Sequence, residues 1–451
     1  MASAAEQLAA NMNFSSFQKA SELHKRIWFT IIALVVYRLG TYVPIPGIDP
    51  VAFASLFSQN SKGILGMFDM FSGGAVERMA IFSLNVMPYI SASIIVQLMG
   101  TVYPPWEKLK KEGGEAGRKT LNQYTRYLAV ILAIVQSASI AMGIVAQPGV
   151  VADGVGQTFF IVSTIVSLTG GTMFLMWLGE QITSRGVGNG VSLIIFAGIV
   201  ARLPIILMQM LTQGQSNNNY MPLFLVVIGG VAAILAIVFM ERSQRRLLVH
   251  YPKRQQGNRM IGGESSFMPL KINTAGVIPP IFASSLLLLP TTALQFIQTA
   301  NLPDWAGWLP SVVGALQHGH PAFLILYALL IIFFSFFYTS VVFNPDETAE
   351  NLRKYGGFLP GIRPGKRTAE YLDYVLTRLT VIGAAYITAV CVAPELAMMA
   401  IKSNQFALGG TSILIVVTVT MDTVAQIQSH LLAHQYEGLI KKSKLRGGRN
   451  R

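Results

Sequence analysis

Cysteine is nearly absent: Cys391 is the single one among 451 residues, which excludes an internal disulfide and any zinc cluster of several cysteines. Charge is scarce too. Asp, Glu, Lys and Arg make up 12% of the chain, well below the ~25% of soluble domains, so the polar surface needed in water is missing. Acidic residues number only 21 against 34 basic ones, and net charge is +13. Few acids remain for proton or ion coupling inside apolar segments: Asp422 is one, with Glu180 and Glu395 towards segment ends. The apolar stretches hold no nucleophile–base pair, so an intramembrane enzyme is not indicated. His430 and His434 share a helix face without an acid between them, and a histidine at a helix C-terminus simply complements the dipole. The first 26 residues contain no apolar core of the signal-peptide kind, so the first apolar helix is expected to direct insertion.

What is abundant is hydrophobic sequence, 52% of residues with mean hydropathy +0.50. The pattern is that of an all-α polytopic membrane protein. Ten candidate spans fall near 27–43, 79–102, 127–146, 158–178, 191–211, 221–240, 275–297, 322–343, 379–401 and 411–433. Arg38 interrupts the first, Arg202 and Pro204 the fifth, and Asp422 the tenth. Of the 34 lysines and arginines, 29 fall on one side of this plan, while loops 147–157 and 298–321 carry none. The positive-inside rule then places both termini and the basic loops in the cytoplasm. Trp305 and Trp308 on the opposite side read as interfacial anchors. Loops 241–274 and 344–374 are far longer than a connection requires. RRLLVHYPKRQQ within the first alternates enough to suggest a short extended element, so ordered, protruding loops are expected.

The most informative stretch runs from Ile64 to Gly100. Ile64 to Phe71 is apolar but only eight residues long, roughly 12 Å as a helix against ~30 Å of hydrocarbon. Ser72-Gly73-Gly74 breaks it, and Met79 to Val102 then runs apolar for 24 residues, enough to span. A short re-entrant piece survives at membrane depth only when protein or a water-filled cavity surrounds it.

An internal repeat also emerges. Residues 86–93 (VMPYISAS) and 277–284 (VIPPIFAS) agree at five of eight positions, each in the second span of a five-span half. Halves with an odd number of spans must insert in opposite senses, a plan recurrent in membrane transport. Gly114-Glu115-Ala116-Gly117-Arg118-Lys119-Thr120 has the wrong spacing for a phosphate-binding loop and reads as a basic, flexible inner loop. Gly186-Val187-Gly188-Asn189-Gly190 reads as a tight turn. An ion-coupled small-solute carrier using Asp422 is the alternative to a passive channel.

Several strings together carry a resemblance: PIPGID (44–49), MFSGGA (70–75), MPYISASII (87–95), EKLKKEGGEAGRK (107–119), GTMFLMWLGEQIT (171–183) and GVGNG (186–190). KRQQG (253–257), AGVIPPIFASS (275–285), FNPDETAENL (343–352), PGIRPG (360–365) and GGTSILIVV (409–417) continue it. The chain resembles the SecY family, channel subunits of the bacterial protein-translocation complex. That resemblance implies ten helices in two inverted five-helix halves, 27–211 and 221–433, around an hourglass pore, flanked by an N-terminal segment 1–26 and a basic tail 434–451. It implies a plug at 64–75, carrying Ile64, Leu65, Met67, Phe68, Met70, Phe71, Gly73 and Gly74. It places a pore ring on Val86, Ile90, Val191, Ile195, Ile281 and Ile415, where the family commonly has isoleucine at all six. A lateral gate would involve Pro88, Ser91, Gln97, Asn273, Thr274 and Pro279. Lys253, Arg254, Arg259 and Arg363 would lie at the docking site for the ribosome and the SecA motor ATPase. SecE and SecG subunits, signal-sequence-bearing precursors and membrane lipid are the further partners implied; no cofactor or metal is.

The ring has its own chemistry. β-branched side chains are stiff at χ1, and six of them can close around an extended chain. An empty apolar constriction gates by dewetting and offers no hydrogen bonds that prefer one passing side chain over another.

Overall fold

Helices form on every apolar run long enough to satisfy its own backbone, and the departures from that rule are what shape the molecule. The computed structural model describes residues 21–60, 69–111, 114–145, 149–152, 154–216, 220–251, 254–256, 259–261, 265–297, 320–401 and 409–447. In order these give α1 (Ser21–Gly40), α2 (Pro50–Asn60), α3 (Met87–Val102), α4 (Pro104–Lys111), α5 (Gly114–Val145), α6 (Gln157–Arg185), α7 (Gly190–Ser216) and α8 (Met221–Arg242). Four strands follow, β1 (Gln244–His250), β2 (Arg254–Gln256), β3 (Arg259–Ile261) and β4 (Ser265–Lys271). The chain ends with α9 (Ile278–Ile297), α10 (Pro321–Val342), α11 (Pro345–Lys354), α12 (Lys366–Ile401) and α13 (Gly410–Gly447). A helix stands at each of the ten expected spans. Among the described residues, α5, α6, α7, α8, α10, α12 and α13 are long and apolar enough to cross a bilayer.

Two expectations need correction. The 24-residue apolar run from Met79 is not one span. Residues 75–86 form successive turns, and α3 begins only at Met87, with Pro88 in its first turn. Met79 (φ 45°) and Asn85 (φ 49°) are left-handed, a backbone that no helix continues through. The run's backbone groups are satisfied elsewhere: Ile45 N–H donates to the Met79 carbonyl at 3.0 Å, and Ile81 N–H to that of Val43 at 3.0 Å. At 16 residues α3 spans roughly 24 Å. The basic stretch around Gly114 is likewise no flexible loop but the start of α5. α4 folds back on it, with Trp106 stacked on Tyr124 at 5.2 Å. The tight turn at 186–190 is as expected.

The chain divides into two compact units, residues 1–206 with 419–451, and residues 207–418. In the first, the turns of 75–86 pack with the ends of α5 and α6 in a core that includes Ile45, Met79, Leu84, Ile144, Phe160 and Leu168. Its 186–190 turn is tied down twice: Val187 N–H donates to Thr30 Oγ1 at 3.0 Å and Gly188 N–H to Gln426 Oε1 at 2.8 Å. In the second, Tyr327 of α10 and Thr411 of α13 share a buried hydroxyl pair at 2.6 Å, and Phe282 meets Phe334 edge-on at 5.7 Å.

The described residues of the two long loops of the second unit share one core. β1 pairs antiparallel with β4, with Leu247 opposite Met268, and β2 with β3. His250 and Phe358 exchange backbone hydrogen bonds at 2.9 and 3.0 Å, extending the ribbon into loop 344–374. Leu247, Val249 and Leu270 bury against Ala349, Leu359, Leu372 and Leu376. Leu372 is wholly buried there, so Leu372→Ala is expected to remove about 2–5 kcal/mol from this module. Limited trypsin digestion should then cut both 241–274 and 344–374 faster; cleavage of only one would show that they do not share a core.

Candidate plug seat, waist and docking loops

Residues 69–75 are the described part of the expected plug; Ile64, Leu65, Met67 and Phe68 lie outside the described residues. Residues 69–72 are helical, and the helix ends at Gly73 (φ +69°) and Gly74 (φ +88°). Those left-handed conformations turn the chain back on itself, and Gly74 N–H donates to the Asp69 carbonyl at 2.9 Å. Residues of this kind leave carbonyls without helical partners, and each finds a side-chain donor. Asn85 Nδ2 donates to Phe71 O at 2.7 Å, Tyr37 Oη to Ser72 O at 3.2 Å, and Arg38 Nη1 to Gly73 O at 2.5 Å. Asp69 accepts from Glu77 N–H at 2.8 Å through Oδ1 and pairs with Arg202 through Oδ2. Arg202 also reaches Glu77 at 2.9 Å. Met70, Phe71, Ser72 and Ala75 are buried. A β-carbon at Gly198 of α7 would collide with the Phe71 carbonyl, so the bare glycine lets α7 meet the segment directly.

The sequence expected Met70, Phe71, Gly73 and Gly74 here, and the structure seats them together. It did not anticipate the residues that hold them. Tyr37, Asp69, Glu77 and Asn85 were not singled out, and Arg38 and Arg202 figured only as blemishes in spans one and five. A charge inside an apolar span was the available signal.

The six expected waist residues all sit in the first two turns of their helices. Val86 caps α3 and Ile90 follows in its first turn; Val191 and Ile195 open α7, Ile281 is in the first turn of α9, and Ile415 in the second of α13. All are buried except Val191, which is half-buried and faces Gly179 of α6. α3 and α9 begin alike, one residue after Val86 and Val277, with Pro88 and Pro279 second in each helix. The repeat found in the sequence thus marks equivalent helix starts in the two units.

Of the expected gate residues, Pro88, Ser91 and Pro279 are buried on α3 and α9. Gln97 Nε2 donates to Ser93 at 3.1 Å, and Thr274 Oγ1 to the Lys271 carbonyl at 3.1 Å. Asn273 closes the turn before α9: it accepts from Gly276 N–H at 3.0 Å, while its amide donates to Glu241 at the end of α8. Glu241 is a partner the sequence reading missed. Of the docking set, Arg254 and Arg259 lie on β2 and β3, Arg363 is exposed before α12, and Lys253 lies outside the described residues.

The acids a carrier would need are dispersed. Asp422 is exposed on α13, and Glu180 is committed to a two-point pair with Arg126 at 2.9 and 2.8 Å. Among the described residues no three metal-ligating side chains cluster.

A family model, SecY, matches residues 80–424. A protein translocase subunit SecY of Vibrio cholerae is 53% identical over 439 residues, covering 96% of this chain and 98% of the relative. That of Rickettsia conorii is 52% identical over 96% and 99%, and that of Escherichia coli K12 51% over 94% and 96%. Among solved structures, a protein-conducting channel superposes with a TM-score of 0.66 at 17% identity, over 90% of this chain and 92% of that one. A SecY channel whose plug domain stabilises the closed state gives 0.65 at 18% identity over the same shares. Canine Sec61, in a ribosome–channel complex, gives 0.62 at 17%, again over 90% and 92%. These low identities establish the fold of such channels and no more, whereas the relatives that match residue for residue over nearly the whole length decide the lineage: the chain belongs to the SecY family of protein translocase subunits.

Proposed function

We propose that this channel passes unfolded secretory polypeptides across the bacterial inner membrane and releases hydrophobic helices sideways into lipid. The observation that carries the proposal is the seat of residues 69–74, a segment this reading puts at membrane depth: its chain leaves the helical path at Gly73 and Gly74, and its carbonyls are met by side chains. Non-helical backbone survives there only inside protein or beside water, so the seat supports a plug over an aqueous cavity. The waist is the ring of Val86, Ile90, Val191, Ile195, Ile281 and Ile415. Six apolar side chains hold a passing strand by shape, and close by dewetting when it leaves.

The matched starts of α3 and α9 support a lateral gate between the halves, with Pro88, Ser91, Gln97, Asn273, Thr274 and Pro279 along it. A signal sequence is itself an apolar helix, so partition into lipid sorts it by the quantity that inserts any span. Both termini and the basic loops face the cytoplasm, as the charge distribution requires. There the shared module of loops 241–274 and 344–374 is the platform for a ribosome or for the SecA motor, with Lys253, Arg254, Arg259 and Arg363 meeting acidic or phosphate surfaces. SecE and SecG complete the complex, and the chain itself performs no catalysis.

A photo-crosslinker replacing Ile281 should trap a stalled secretory precursor in mid-passage; adducts with lipid alone would refute the waist. Deleting Ile64–Phe71 should raise ion leakage through the purified complex, and unchanged conductance would remove the plug assignment. Asp422→Asn should leave export working, where a carrier coupled through that acid would lose transport.

A further inference from the structure

Three arginines gather where residues 69–77 cross the first unit. Arg202 lies in α7, roughly 18 Å along the helix from its start. One guanidinium nitrogen pairs with Asp69 and another with Glu77 at 2.9 Å; the Asp69 side chain is 1% exposed, that of Arg202 16% and that of Glu77 40%. Arg38 donates to Gly73 O and to the Tyr42 hydroxyl, the latter at 3.0 Å. Arg78 lies over the opposite partner of that contact, its Cζ 4.1 Å from the centre of the Tyr42 ring, and its Nη1 is buried with no hydrogen-bond acceptor. A β-carbon at Gly74 would sit 3.6 Å from Arg78 and 3.7 Å from Arg202, so both guanidiniums flank the glycine turn.

An arginine within a span needs a partner, and the usual partner is a neighbouring helix. Here both carboxylates belong to the segment by which the plug re-enters the bundle. One guanidinium spans the two ends of the turn: Asp69 where the plug arrives and Glu77 where the chain leaves. Moving residues 69–74 away therefore separates Asp69 from Arg202, which strips a buried carboxylate of its cation and leaves Glu77 as the one carboxylate on Arg202, beside the further positive charge of Arg38 and Arg78. Nothing in the apolar waist does comparable work, because its contacts are non-directional.

We infer that Arg202 is a positioning residue for the plug: its bridge between Asp69 and Glu77 is an ionic latch that must break before the channel opens. The inference rests on the plug assignment above and adds what holds the plug down. The latch sets how often the idle channel opens, independently of how the waist grips a substrate.

The test uses the complete translocase containing this chain, reconstituted in planar bilayers, with idle ion conductance as the readout. Arg202→Gln and Asp69→Asn are each expected to raise idle conductance about tenfold or more, because breaking one side of a buried pair strands the other charge. The double variant D69N/R202Q should raise it no further than either single change, since the coupled pair is already lost. Arg202→Lys keeps the charge but has one ammonium in place of the two-nitrogen bridge, and should raise conductance by less than Arg202→Gln. Intact assembly of each complex is checked by size exclusion and thermal midpoint. If Arg202→Gln does not assemble, Asp69→Asn and Glu77→Gln carry the comparison. Parent-like conductance in the neutral variants, or fully additive effects in the double, would overturn the latch. The Ile64–Phe71 deletion separates the two ideas: if it leaks while Arg202→Gln does not, the plug stands and the latch falls; if it too is silent, both fall.

Discussion

Backbone that leaves the helical path inside a membrane must find hydrogen-bond partners other than water, and this constraint organises the first unit. Residues 69–86 break the path repeatedly, at Gly73, Gly74, Met79 and Asn85. Each break exposes carbonyls or amides that a lipid environment would penalise by several kcal/mol apiece. The answer is a set of side chains from three directions: Tyr37 and Arg38 from α1, Asn85 from the start of α3, and Arg202 from α7. An apolar plug on an apolar seat would gain little from docking where lipid tails are equally apolar. A polar seat makes the position of residues 69–74 specific.

A division of labour follows. Surfaces that must hold one position are polar and directional, as at the 69–77 turn, at the Asn273–Glu241 contact before α9, and at the 186–190 turn held by Thr30 and Gln426. The six positions proposed for the waist are instead apolar and β-branched, a surface suited to any passing side chain. The two long loops build a small soluble-type domain: a two-stranded ribbon backed by α11 and the start of α12, with its own core. The loops are long because that core needs residues from both.

Much of this was legible in the sequence, for reasons particular to each element. Apolar runs above span length announced the helices, since composition and length decide insertion. The Val-x-Pro starts of α3 and α9 were visible because proline early in a helix is a local signal that survives repetition. Alternation in RRLLVHY announced β1. The turns at 75–86 were not legible: MAIFSLNV is as apolar as any helix, and nothing local in it marks left-handed backbone at Met79 or Asn85. The basic stretch at 107–120 read as loop because charge suggested solvent, yet α4 packs on α5 through Trp106 and Tyr124. The latch was hidden for another reason. Asp69 and Arg202 are 133 residues apart, and only the close passage of α7 at Gly198 brings them together.

The most direct test of this account is amide hydrogen exchange across residues 69–86 in the membrane-embedded complex, idle and with a stalled precursor. The account predicts slow exchange at Gly74, Glu77 and Ala80 in the idle state, rising at least about tenfold when a precursor occupies the channel, with α5 and α6 unchanged. Equal protection in both states, or fast exchange in the idle complex, would contradict it.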